Sequence, residues 1–167
     1  MELLAISDNL ALVAELAIGL AGFASLVAVV GHRQGRDSRE LDVSRLRGML
    51  ELSLLVTGFA LIPHIPHQAG MSEALVWQSC SGLFAAVAAA FTIFKIREVL
   101  LLPRHDFRYP WFVFWVGLSA SAVISLGVAA LGLLAPTSAY LWGLYVYFTI
   151  AALTFLRLVR SLLEGRA

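Results

Sequence analysis

All twelve Lys and Arg residues of the chain fall in three clusters, and long apolar runs fill the intervals. The first cluster holds Arg33, Arg36, Arg39, Arg45 and Arg47. The second holds Lys95, Arg97, Arg104 and Arg108, and the third Arg157, Arg160 and Arg166. A hydrocarbon core about 30 Å thick needs about 20 apolar residues of helix to cross it. The segment before the first cluster supplies one such run. Each later interval supplies two, joined by a turn with no basic residue. Lys and Arg are retained on the cytoplasmic side of a membrane, so this alternation predicts five spans with the N-terminus outside and the C-terminus inside. A missed or invented span would carry basic groups to the wrong face.

Composition enters as a check. The chain is 60% hydrophobic and 14% charged, whereas a soluble domain carries about 25% charged residues. Such a chain cannot cover a water-facing surface. It is read as an all-α, polytopic integral membrane protein, a single five-helix transmembrane domain over residues 1–167, with spans at about 9–31, 48–66, 74–94, 111–134 and 138–158. The opening MELLAISDN lacks the positive flank of a secretory signal, so the first run is read as a mature span. Arg outnumbers Lys eleven to one alongside much Ala, Leu and Gly, a bias that hints at a GC-rich bacterial genome, and the expected location is the bacterial cytoplasmic membrane.

The connections add detail. Asp37 followed by Glu40 fits a capping box, which starts the second helix near Ser38, about 10 residues or ~15 Å before the membrane at 1.5 Å per residue. Pro63 and Pro66 end or kink that helix at the outer face, and residues 68–72 form a short outer turn. The 98–110 segment suits the inner interface, with Phe107, Tyr109 and Trp111 at headgroup depth; Trp77, Tyr140 and Trp142 suit an outer aromatic belt. Ala135, Pro136 and Thr137 make a tight connection between spans four and five. The arginines at 33, 36, 39, 45 and 47 are placed to meet anionic lipid headgroups or, alternatively, a protein partner. No role toward nucleic acid is expected of them.

Each span carries small or polar residues at helical spacing: Asp8, Glu15, Gly19 and Gly22; Ser53, Thr57, Ala60 and His64; Gln78, Ser81, Ala85, Ala88 and Thr92; Ser121, Ser125 and Gly132; Gly143, Tyr147, Ala151 and Thr154. Small residues let helices approach closely in lipid. The stripes either pack inward in one bundle or line a pore or subunit interface, and spacing alone leaves both open.

Ionisable residues at bilayer depth mark functional sites by default. Glu15 lies about 6 residues, ~9 Å, inside span one. Gln78 and His64 fall near the same layer from spans three and two. Glu15, His64 and His67 are the candidate metal ligands, although Pro66 interrupts the helix that would aim both imidazoles and two His do not make a metal site. Their ordinary reading is a polar, helix-ending turn. Glu51 stands four residues after Arg47, the spacing of a helical ion pair; otherwise it is an acidic group at a pore mouth. Cys80 is read as a small packing residue. Ion-path candidates are therefore Glu15, Glu51, Ser53, Thr57, His64 and Gln78.

The sequence contains no phosphate-binding loop, dinucleotide fingerprint, nucleophile elbow or His-Glu-x-x-His motif, and no enzyme activity or cofactor is expected. Three functions stay open. The first is a homo-oligomeric channel for small cations or protons, because five spans leave little room for an aqueous path within one copy. The second is a non-conducting accessory, scaffold or sensor subunit that holds a partner through the cytoplasmic helix of residues 38–50. The third is a metal-binding or metal-transporting membrane protein.

Overall fold

The computed structural model describes residues 2–33, 40–100 and 109–164. They form six helices: α1 (Glu2–Arg33), α2 (Glu40–Leu61), α3 (His64–Gln68), α4 (Glu73–Leu100), α5 (Tyr109–Ala130) and α6 (Pro136–Glu164). There is no strand among the described residues. Five segments are long and apolar enough to cross a membrane: Ile6–Val27, Leu46–Gln68, Glu73–Glu98, Trp111–Ala130 and Pro136–Arg160. In lipid every backbone N–H and C=O must be satisfied within the chain, and a helix does this segment by segment. The all-helical character and the number of spans therefore follow directly from the apolar runs.

The ends of the helices are set by Pro and Gly. Pro63 has no N–H to continue the ladder and its ring crowds the carbonyl one turn back, so α2 stops at Leu61 and the five-residue α3 follows at once. Gly70 sits at φ +81° and Gly132 at φ +73°, a left-handed conformation that costs a side-chain-bearing residue roughly 1–2 kcal/mol. Each closes a helix with the paired Schellman bonds. Gly70 N–H donates to His67 O at 3.0 Å and Met71 N–H to Pro66 O at 3.2 Å; Gly132 N–H donates to Ala129 O at 2.9 Å and Leu133 N–H to Val128 O at 3.2 Å. The expected turn over residues 68–72 is thus present. Span four, expected to reach Leu134, ends as helix at Ala130, because Gly132 turns the chain before Pro136 starts α6 at a first-turn position that suits proline. Lys95, expected in a loop, lies inside α4, which runs on to Leu100. The proposed cap residue Asp37, the helix start at Ser38 and Phe107 lie outside the described residues.

Two compact units divide the chain: Met1–Leu61 with Tyr147–Ala167, and Ile62–Val146. In the first, α1 and α2 pack against each other. α1 buries Leu10, Val13, Ala14, Ala17 and Ala24, and α2 buries Met49, Leu52, Ser53, Val56, Phe59 and Ala60. Both sets recur every three to four residues, so each helix has one packed face. In the second unit α4 packs against α3 and α5, and the N-terminal part of α6 joins them through aromatic contacts. Tyr140 meets the edges of Trp77 and Phe84, with ring centroids 5.5 Å apart in each pair. Edge-to-face pairs of this kind contribute about 0.5–1.5 kcal/mol beyond their buried area.

Gly143 lets α6 approach its neighbours closely. A Cβ there would lie 2.9 Å from Leu126 Cδ1 and 3.1 Å from Phe84 Cε1, and both of those side chains are fully buried. Gly143→Ala should lower stability in detergent by about 1–3 kcal/mol, the usual cost of overpacking. Gly127→Ala, where an added Cβ meets nothing within 4 Å, should be neutral or stabilising. Denaturation monitored by circular dichroism checks the pair.

Candidate functional site

The small and polar stripes of α2, α4 and α6 are largely buried, that of span four is half-buried with Gly132 exposed, and that of α1 is exposed. On α4, Ser81, Ala88 and Thr92 are buried with Gln78 and Ala85 half-buried; on α6, Gly143, Tyr147 and Ala151 are buried. On α2, Ser53 and Ala60 are buried and Thr57 half-buried, and on α5 Ser121 and Ser125 are half-buried. On α1, Asp8, Glu15, Gly19 and Gly22 are all exposed, and the small residues that pack are instead Ala14, Ala17 and Ala24. A Cβ built on Gly19 or Gly22 meets nothing within 4 Å. Among the described residues nothing fills the space beside these two glycines.

Glu15 stands nine residues after Ile6, where the apolar helical segment Ile6–Val27 begins, about 14 Å along the helix axis and near the middle of that segment. Leu12, Leu16 and Ile18 around it are exposed as well, as expected of a surface that meets lipid or another membrane helix.

Of the other candidates, Glu51 is half-buried and its Oε1 accepts from Arg47 Nε at 2.7 Å. The helical ion pair expected from the spacing is therefore formed. Thr57 Oγ1 donates to Ser53 O at 2.8 Å, so this hydroxyl is satisfied by its own helix. Ser53 is 1% exposed and its Oγ has no hydrogen-bond partner among the described residues. The same holds for Ser81 Oγ, Ser119 Oγ and the indole N–H of Trp77. His64 and His67 bracket α3 and are half-buried, and His67 Nδ1 is buried without a partner. The Gln78 amide lies against the α5–α6 turn, its Nε2 3.0 Å from where a Cβ on Gly132 would stand. Glu15 belongs to the first unit, and His64, His67 and Gln78 to the second. Among the described residues no three His, Cys, Asp or Glu side chains converge in a way that could hold a metal ion. Arg47 is exposed. Arg36 and Arg39, and the side chains of Arg33 and Arg45, lie outside the described residues.

Two environments differ from the sequence reading. Trp77 and Tyr140, expected in an aromatic belt, are inside the second unit at 1% and 0% exposure, and of that trio only Trp142 is exposed. Lys95 is also buried. Its Nζ donates to Glu98 Oε2 at 2.9 Å and lies over the rings of Phe91 and Phe94 at 5.7 and 5.9 Å from their centroids. These contacts compensate a cation near the end of its span. The i,i+4 spacing of Phe91 and Lys95 and the i,i+3 spacing of Lys95 and Glu98 carried that signal.

Comparison with protein-family models, curated proteins and solved structures found no match, so the functional reading rests on this geometry. If Trp77 is a packing residue rather than an interface anchor, Trp77→Ala should lower stability in detergent by about 3–5 kcal/mol. Trp142→Ala should change it by about 0.5 kcal/mol or less. Parallel unfolding titrations of the two variants separate the roles.

Proposed function

We propose that identical copies of this chain assemble in a bacterial cytoplasmic membrane into a pore for small cations or protons. In this reading the N-terminus is outside, and the basic clusters hold the 34–47 and 95–108 segments and the C-terminus in the cytoplasm. One observation supports it above the others: of the six ion-path candidates, Glu15 alone is exposed, and it stands near the middle of its span. A carboxylate facing hydrocarbon is expensive. Rotational symmetry removes that cost by turning one exposed carboxyl per copy into a ring about an axis, and acidic rings select cations.

The other candidates take lesser parts. Glu51, tied to Arg47, is a partly neutralised acidic group toward the cytoplasmic mouth. Ser53 is packed within its unit and lies off a path that follows α1. A second reading uses the same observation: the uncovered face of α1 receives a helix of a different membrane protein, and the chain is a non-conducting accessory subunit.

Purified protein in liposomes, driven by K⁺, Cl⁻ and proton gradients, separates the two. The pore reading predicts cation or proton flux that Glu15→Gln lowers by about tenfold or more. That factor corresponds to ~1.4 kcal/mol, well within what a unit charge supplies at an effective protein dielectric. Flux that both Glu15→Gln and Glu51→Gln leave unchanged contradicts an acidic path. An absence of flux under every gradient supports the accessory reading.

A further inference from the structure

Leu131 and Leu133, each 75% exposed, stand out more than any other large apolar side chain among the described residues. With Leu134 and Ala135, also exposed, they form the connection from α5 to α6. Its sequence, Leu-Gly-Leu-Leu-Ala, has no polar side chain, and from Tyr109 to Leu156 the chain contains no Asp, Glu, Lys, Arg or His. The turn over residues 68–72 is exposed as well, but it carries Gln68 and Ser72 and runs straight into Glu73.

The two turns stand at different heights in the second unit. A Cβ on Gly82 would lie 3.5 Å from Ala130 Cβ, so the end of α5 is level with Gly82. From there α4 rises ~14 Å to Glu73 at 1.5 Å per residue. Gly132 is level with the Gln78 amide, whose Nε2 lies 3.0 Å from where a Cβ on Gly132 would stand, and Gln78 is still more than one turn of α4 short of Glu73. The leucines therefore stop below the polar turn beside them. Span lengths agree. The 20 residues of Trp111–Ala130 rise ~30 Å, and α6 rises ~32 Å from Pro136 to Arg157. A hydrocarbon core about 30 Å thick reaches the leucines when Trp111 and Arg157 stand at its other boundary. Lifting the leucines into water would draw Arg157 into hydrocarbon, where charge is expensive.

We infer that the α5–α6 turn is inserted among lipid acyl chains at the membrane face opposite the basic clusters, with Leu131, Leu133 and Leu134 as its lipid contacts. Its backbone suits that place, because lipid leaves polar groups no water to bond. The N–H groups of Leu131, Gly132 and Leu133 donate to the carbonyls of Gly127, Ala129 and Val128 at 2.9–3.3 Å. The inference does not rest on the pore reading, and it leaves the 68–72 turn as the part of this unit that meets water on that face.

Nitroxide labels on single cysteines, in a Cys80→Ala background and in liposomes of phosphatidylethanolamine and phosphatidylglycerol, report where each turn lies. Collision with O₂, which concentrates in hydrocarbon, is compared with collision with a water-soluble nickel chelate. The ratio of the two at Leu131→Cys and Leu133→Cys should exceed that at Ser72→Cys by about fivefold or more. All three positions are exposed, so circular dichroism should show the fold unchanged. A ratio at the leucines equal to or below that of Ser72→Cys would overturn the insertion. Protection of the leucines from both reagents would overturn it too, by showing that protein, either a second copy or another partner, covers the turn.

Discussion

The energetic penalty for a polar group in hydrocarbon governs this chain more than any single contact. It leaves helix as the one local structure that an isolated segment can adopt in lipid, and it confines the twelve basic residues to the segment ends. Where a charge does enter a span, the structure shows what keeps it tolerable. Lys95 is buried yet bonded to Glu98 and laid over two Phe rings, and Glu51 is held by Arg47. Four hydroxyls follow the same rule, with Thr57, Ser79, Ser121 and Thr154 donating to carbonyls of their own helices at 2.6–2.8 Å, whereas those of Ser53, Ser81 and Ser119 are buried without a partner among the described residues. Glu15 stands within an apolar helical segment yet shows an exposed side chain instead of a packed one, and that asymmetry is what turns a fold into a functional proposal.

Packing in such a protein cannot draw on the hydrophobic effect between helices, so it depends on close fit. The second unit shows how. Gly143 brings α6 against Leu126 and Phe84, Gly82 stands 3.5 Å (at its absent Cβ) from Ala130 Cβ, and Tyr140 bridges Trp77 and Phe84 edge-on. The first unit uses alanines on α1 for the same purpose. Against that background Gly19 and Gly22 stand apart, because a Cβ at either would meet nothing within 4 Å.

Much of this was legible in the residues. Apolar runs and basic clusters marked five spans, all five of which the helices reproduce, and the Arg47–Glu51 spacing announced an ion pair that forms. What periodicity does not encode is direction: the spacing of Asp8, Glu15, Gly19 and Gly22 identified a face, but the packed face of α1 is the alanine face next to it. For the same reason Trp77 and Tyr140 read as interfacial aromatics, since their position along a span is a matter of sequence and their burial a matter of tertiary contact. The end of α5 was misplaced because hydropathy runs unbroken through Leu133 and Leu134, while the turn is made by the left-handed conformation of Gly132.

The proposed orientation underlies the rest, since it fixes which leaflet each charged group occupies. The direct test is labelling of intact cells with a membrane-impermeant maleimide, using single cysteines in the Cys80→Ala background. Ser72 lies in the exposed turn between α3 and α4, and Leu100 at the exposed far end of α4. The account predicts that Ser72→Cys is modified from outside and that Leu100→Cys is modified only after the cells are permeabilised. The reverse pattern, or equal modification of both in intact cells, would contradict it.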